Sequence, residues 1–160
     1  VSGVKVTRDR VASVIKAVSD LATKDVLVGI PDSAPERKDG EPISNAQIGY
    51  IQENGSPAAN IPARPFLVPG VRDAQDRIAD RLGKGAKAAL NGQDQADQTL
   101  HSAGLIGQNA ARAKINSNIQ PKLADSTIAA RVARGVTRTN TLVDTGQLRN
   151  SITYVVRKKT

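Results

Sequence analysis

Apolar and polar positions follow two periods along this chain, and the period sets the element. From Arg8 onward Val11, Val14, Ile15, Val18, Leu21 and Ala22 recur every three or four residues, which predicts an amphipathic helix near 8–23. Thr7 is the expected N-cap, although Arg10 stands where a capping box would place Glu. A short strand is expected at 4–6. The apolar run Val26-Leu27-Val28-Gly29-Ile30 predicts a buried strand over 25–30, ended by Pro31. Residues 31–42 hold three prolines, a glycine and six charges, and predict a mobile loop. Ser44 and Gln47 then form a capping-box pair ahead of a short helix over 44–53, with Asn54-Gly55 as its stop.

The second half carries longer periodic segments. Val71, Ala74, Ile78, Leu82, Ala86, Ala89 and Leu90 make one helical stripe, weakened in the middle by Gly83 and Gly85 and closed by Asn91-Gly92. A second helix near 94–117 has Ala96, Leu100, Ala103, Gly107, Ala110 and Ala113 on a narrow face of small residues. Pro121 interrupts it. Asp125 or Ser126 then caps a helix carrying Ile128, Ala129, Val132 and Ala133, stopped by Gly135. A turn at Asp144-Thr145-Gly146 leads to a strand over 150–157, expected to pair with 25–30.

The elements predict an α+β fold: a small, mostly antiparallel sheet packed with three to four helices and one loop insertion. One domain is expected over 1–160, with 31–42 as a flexible loop, 70–118 as a helical hairpin and 119–160 as a basic C-terminal part. Composition sharpens this picture. Aromatics are 2% of the 160 residues and methionine is absent, so Val, Ile, Leu and Ala must fill a thin core. Such a subunit is expected to draw stability from neighbouring copies. The net charge is +8, and it is uneven: 119–160 has eight basic groups against Asp125 and Asp144, leaving +2 for the first 118 residues. A basic end of this kind suits nucleic acid or an acidic protein surface.

Candidate chemistry is sparse. Without cysteine and with His101 as the one histidine, no metal site, cofactor site or catalytic triad can be assembled from the sequence. No apolar run approaches a membrane span, so a soluble protein with no membrane partner is expected. Leu142-Val143-Asp144-Thr145-Gly146 has the form of an aspartic-peptidase motif, but the fourteen residues after Gly146 leave no room for a flap. Asp144 therefore reads as a turn residue accepting from the amide of Gly146 or Gln147, and the chain as not an enzyme. Ala63-Arg64-Pro65-Phe66 is a stiff extended segment that holds the sole phenylalanine.

Two motifs in order carry a family resemblance. Ile48-Gly49-Tyr50-Ile51-Gln52-Glu53-Asn54-Gly55 with Ile61-Pro62-Ala63-Arg64-Pro65-Phe66-Leu67 is similar to one signature of tailed-bacteriophage neck and tail-completion proteins. Leu142-Val143-Asp144-Thr145-Gly146-Gln147-Leu148-Arg149-Asn150-Ser151-Ile152-Thr153-Tyr154 resembles the ending of the same proteins. That family spans virion-morphogenesis, gp10-like head–tail connector and minor tail proteins. Asn54 departs from it, standing where an aromatic commonly precedes the glycine. The resemblance implies a non-catalytic virion protein of the neck or tail, assembled in the host cytoplasm as a homo-oligomeric ring. Its implied partners are head connector or portal-side proteins, tail terminator or tail tube proteins, and genomic DNA contacted without sequence preference.

Glu53, Gly55, Arg64, Pro65, Phe66, Asp144, Thr145, Gly146 and Leu148 are the signature residues expected to matter for structure or interface. Phe66 is expected to lock onto the sheet near Tyr154, and Arg64 to be held by Asp144 or Glu53. Arg149, Arg157, Lys158 and Lys159 are the expected contacts to DNA or an acidic partner. The competing reading is a basic, non-sequence-specific nucleic-acid-binding protein acting outside any particle.

Overall fold

A 21-residue helix rich in alanine and glycine runs through the middle of the structure, and other elements are laid against it. The structure is a computed structural model and describes residues 9–32, 43–93 and 95–159. In chain order the elements are α1 (Val11–Thr23), β1 (Lys24–Gly29), α2 (Asn45–Asn54), a single 3-10 turn (Pro57–Ala59), α3 (Leu67–Asp73), α4 (Gln75–Leu90), α5 (Ala96–Asn116), α6 (Asp125–Ala133), α7 (Gln147–Ser151) and β2 (Thr153–Lys158). The α+β class is as expected. The helices number seven among the described residues rather than three or four, the surplus being short pieces such as α3 and α7. Thr7, the expected strand at 4–6 and most of the expected loop, 33–42, lie outside the described residues.

Local chemistry accounts for most boundaries. The cap of α1 is the Asp9 carboxylate, which accepts from the Val11 amide at 2.9 Å. The capping box of α2 is complete: the Ser44 hydroxyl accepts from the Gln47 amide, and the Gln47 side chain accepts from the Ser44 amide. α3 begins four residues before the expected start at Val71. Pro69 is tolerated there because the third helical position needs no N–H donor. The long helix expected through 71–90 breaks at Ala74, whereas Gly83 and Gly85 both lie within an unbroken α4. At the C-terminal end, 147–151 form α7, so β2 starts at Thr153 instead of residue 150.

β1 and β2 pair antiparallel in register Val26↔Val156, Leu27↔Val155 and Val28↔Tyr154, giving a two-stranded sheet. One face lies on α5, where Tyr154 covers Gly104 and Val28 covers Gly107. The opposite face leaves Leu27 and Val155 exposed. The small residues of α5 thus serve packing within the fold. Ala96, Leu100, Ala103 and Gly107 are buried as expected, whereas Ala113 is exposed and the buried stripe continues through Ala111 and Ile115.

Close approach requires glycine at particular crossings. A Cβ on Gly70 would stand 2.8 Å from the Ala111 Cα and 3.1 Å from the Ala110 carbonyl oxygen, so α3 and α5 touch through backbone. A Cβ on Gly83 would meet open space. Gly70→Ala is expected to cost about 1–3 kcal/mol of stability, because the backbone opposite cannot yield as a side chain would. Gly83→Ala is expected to add roughly 0.5–1 kcal/mol by removing a helix-interior glycine. Denaturant unfolding of both variants checks the pair, and equal effects would refute the α3–α5 backbone contact.

Candidate functional site

The first motif is held together by one carboxylate. Glu53, in the last turn of α2, accepts from the amides of Phe66, Leu67 and Val68 at 2.7, 2.8 and 3.0 Å. These are the N–H groups that open α3, and the fourth position, Pro69, has no N–H to satisfy. Glu53 is therefore a cap delivered from another helix, and its charge lies at the positive end of α3. Gly55, at φ +78°, lets the chain double back: a Cβ there would sit 2.9 Å from the Ala63 nitrogen. The Arg64 amide then donates to the Gln52 carbonyl at 2.6 Å.

Arg64 is 6% exposed and reaches away from this turn. Its Nε donates to the Pro121 carbonyl at 2.7 Å and its Nη2 to the Lys122 carbonyl at 3.1 Å. Neither Asp144 nor Glu53 holds it, contrary to expectation, because backbone carbonyls of the α5–α6 connection claim the guanidinium. Burial, aided by the like charge of Arg131, holds the Arg64 group below its ordinary pKa. Phe66 is 1% exposed and packs in one cluster with Ala111, Ile115, Leu142, Val143, Leu148 and Ile152. It does not lock onto Tyr154, which instead rests on Gly104 with its ring edge-on to His101 at 5.8 Å.

The second motif is organised by an arginine that the sequence did not single out. Arg131 on α6, also 6% exposed, donates to the carbonyls of Asn140 and Thr141 at 2.8 and 3.2 Å, and to those of Val143 and Arg138 at 3.3 and 3.4 Å. This pins the loop that carries Leu142 and Val143 into the core. Thr141 is fixed from the other side by Asn118, whose left-handed backbone (φ +56°) presents its side chain to the Thr141 amide and hydroxyl at 3.0 and 2.8 Å. Gly146 adopts φ +86° and is buried, so a side chain there would be strained.

Asp144 does not cap α7. Its Oδ2 accepts from Arg134 at 2.9 Å, and the Thr145 hydroxyl takes the Gln147 amide in its place at 3.4 Å. Asp144 Oδ1 lies 3.9 Å from Arg131 Nε, a charge contact too long to be a hydrogen bond, so this buried oxygen has no donor among the described residues. Together with Gln52 and Arg131, Asp144 lines a cavity of about 200 Å³ beneath the turn.

The structure thus brings Phe66 and Leu148, one from each motif, into one core beside Gly49 of α2: a Cβ on Gly49 would lie 3.7 Å from Leu148 and 3.8 Å from Phe66. Pro65 is exposed, and its part is the fixed φ that aims its neighbours. The four expected anion contacts are not one patch. About 13 Å of strand separates Thr153, just after Arg149 and α7, from Arg157, and Lys159 is already drawn to Asp25 at 3.8 Å. Among the described residues no group of three or more His, Cys, Asp or Glu could hold a metal ion, and no helix is long and apolar enough to cross a membrane. Compared with protein-family models, curated proteins and solved structures, the chain matches none.

Two substitutions test the first motif. Glu53→Ala removes all three acceptor bonds and is expected to cost about 2–4 kcal/mol, with Glu53→Gln costing less because one oxygen remains. Arg64→Lys keeps the charge but not the fork spanning two carbonyls, and is expected to cost about 1–3 kcal/mol. Urea unfolding monitored by circular dichroism reads both. A neutral Glu53→Ala would mean that α3 starts without its distant cap.

Proposed function

We propose that this chain is a structural subunit of a tailed-bacteriophage virion, forming a tail-completion or head–tail joining ring at the neck. The observation that carries the reading is the outer face of α1. Val11 and Ile15 are each 63% exposed and Val18 is 42% exposed, in one stripe at i, i+4 and i+7. Ala12, Ser19 and Ala22, which flank the stripe, bring no charge. A helix of a solitary soluble protein turns its charged residues outward; here the arc through Val11, Ile15 and Val18 is apolar, with the exposed Lys16 at its border. The bare face of the sheet at Leu27 and Val155 adds a second such surface. A subunit completed by its neighbours explains both, and also the poverty of aromatic residues in the core.

The two motifs support the virion assignment, because they close on each other through Phe66 and Leu148 as parts of one scaffold. In this reading the ring's neighbours are further copies of the chain, portal-side connector proteins on one side, and tail terminator or tube proteins on the other.

Native mass spectrometry and particle microscopy test the assembly. The full chain is expected to form rings at high concentration or with tail tubes. Ile15→Glu with Val18→Glu is expected to remain folded, since both positions are exposed, yet to stay monomeric. Particles made without the protein are expected to appear as separate full heads and full-length tails. A wild-type chain that stays monomeric even with tail tubes, or intact virions lacking it, would refute the ring.

A further inference from the structure

We propose that the Asp144-Thr145-Gly146 turn is a contact point for the phosphate backbone of double-stranded DNA, made by Arg134, Arg138 and Arg149. Between 131 and 149 the sequence has four arginines and one carboxylate. The fold gathers these arginines round a single turn although they come from α6, the following loop and α7. Arg134 Nη2 meets Asp144 Oδ2 at 2.9 Å, and Arg138 Nη1 meets the Asp144 carbonyl at 3.4 Å. A Cβ built on Gly146 would lie 3.7 Å from Arg149 Nη2. Arg131 stands beneath them as a fixed buried cation. Among the described residues Asp144 is the one carboxylate paired with this group.

The bonds that Arg138 and Arg149 make are long and go to neutral acceptors. Arg149 reaches Asn116 Oδ1 at 3.3 Å and Asn150 Oδ1 at 3.4 Å. A phosphate oxygen, charged and able to accept two parallel N–H groups, is the stronger acceptor for a guanidinium fork. The far end of β2 is different. There Lys24 is paired with Asp97 at 2.6 Å and lies 4.0 Å from Asp20, while Lys159 is drawn to Asp25, so acidic neighbours offset much of the basic charge. From 137 to 145 the exposed residues are Arg138 and three hydroxyl-bearing threonines, Thr137, Thr139 and Thr145, while the exposed apolar Val132 lies upstream on α6. That favours backbone contact with DNA over base reading, and over the apolar core of a protein interface.

The inference rests on the ring reading for its setting, with DNA passing the subunit. Its test is separable. Fluorescence anisotropy of a random-sequence duplex with the full chain, across a salt series, is expected to show binding that weakens steeply with salt. Arg138→Ala with Arg149→Ala is expected to lower the salt slope by about 2 and the low-salt affinity by roughly tenfold. Lys158→Ala with Lys159→Ala is expected to stay within about twofold of wild type by the same reasoning.

In the wild-type protein, duplex DNA is expected to shield Arg138 and Arg149 from phenylglyoxal, which reads the site without any variant. No binding at low salt, wild-type affinity in the arginine variant, no shielding, or equal loss in the lysine variant would each overturn the proposal. Displacement by polyglutamate as effective as by unlabelled duplex would reassign the turn to an acidic protein and overturn it too. Mass measured on the same samples reports ring formation independently: a DNA-binding monomer sinks the ring alone, and a ring that ignores DNA sinks the turn alone.

Discussion

Three backbone amides converging on the Glu53 carboxylate are the constraint from which much of the fold follows. A seven-residue helix is too short to persist by itself. α3 exists because a charge from α2 occupies its opening and because Pro69 removes the remaining donor. Once α3 is fixed, Gly70 sets it against Ala111 of α5, and Phe66 at its entrance is driven into the cluster that receives Leu142, Val143, Leu148 and Ile152. The carboxylate therefore governs both where a helix starts and where the largest core side chain points.

A chain with one phenylalanine cannot hold its loops by burying large rings, and here arginines do much of that work. Arg64, Arg131 and Arg112 each reach across the structure to backbone carbonyls: Arg64 to 121 and 122, Arg131 to 138–143, Arg112 to the Ile152 carbonyl at 2.7 Å. Carbonyl acceptors satisfy a guanidinium without the paired desolvation of a second charge. Between the helices, Gly and Ala bring backbones into contact, so many small dispersion contacts replace a few large ones.

How much of this could be read beforehand depended on range. The Ser44–Gln47 box, Gly135 and the pairing of the two strands followed from local pattern, since their partners sit at fixed offsets or share a period. The start of α3 did not, because its cap lies thirteen residues upstream on another element. For Arg64 the sequence points to a carboxylate, because opposite charges are the pairing a sequence displays; carbonyl acceptors at Pro121 and Lys122 leave no mark in it. Arg131 is silent for the same reason: an arginine on a helix without a local acid reads as surface. Asn118 carried a faint signal, as asparagine tolerates the left-handed region better than most residues.

The register of β1 with β2 also has a consequence in time. The strands pair Lys24 with Lys158, and everything between them, including the α5 platform they cover, must be synthesised first. At about 5–20 residues per second the first strand waits on the order of ten seconds for its partner. During that interval the edge of β1 that later pairs with β2 is uncovered. Among the described elements the sheet thus closes last, and the nascent chain is most open to mispairing just before β2 arrives.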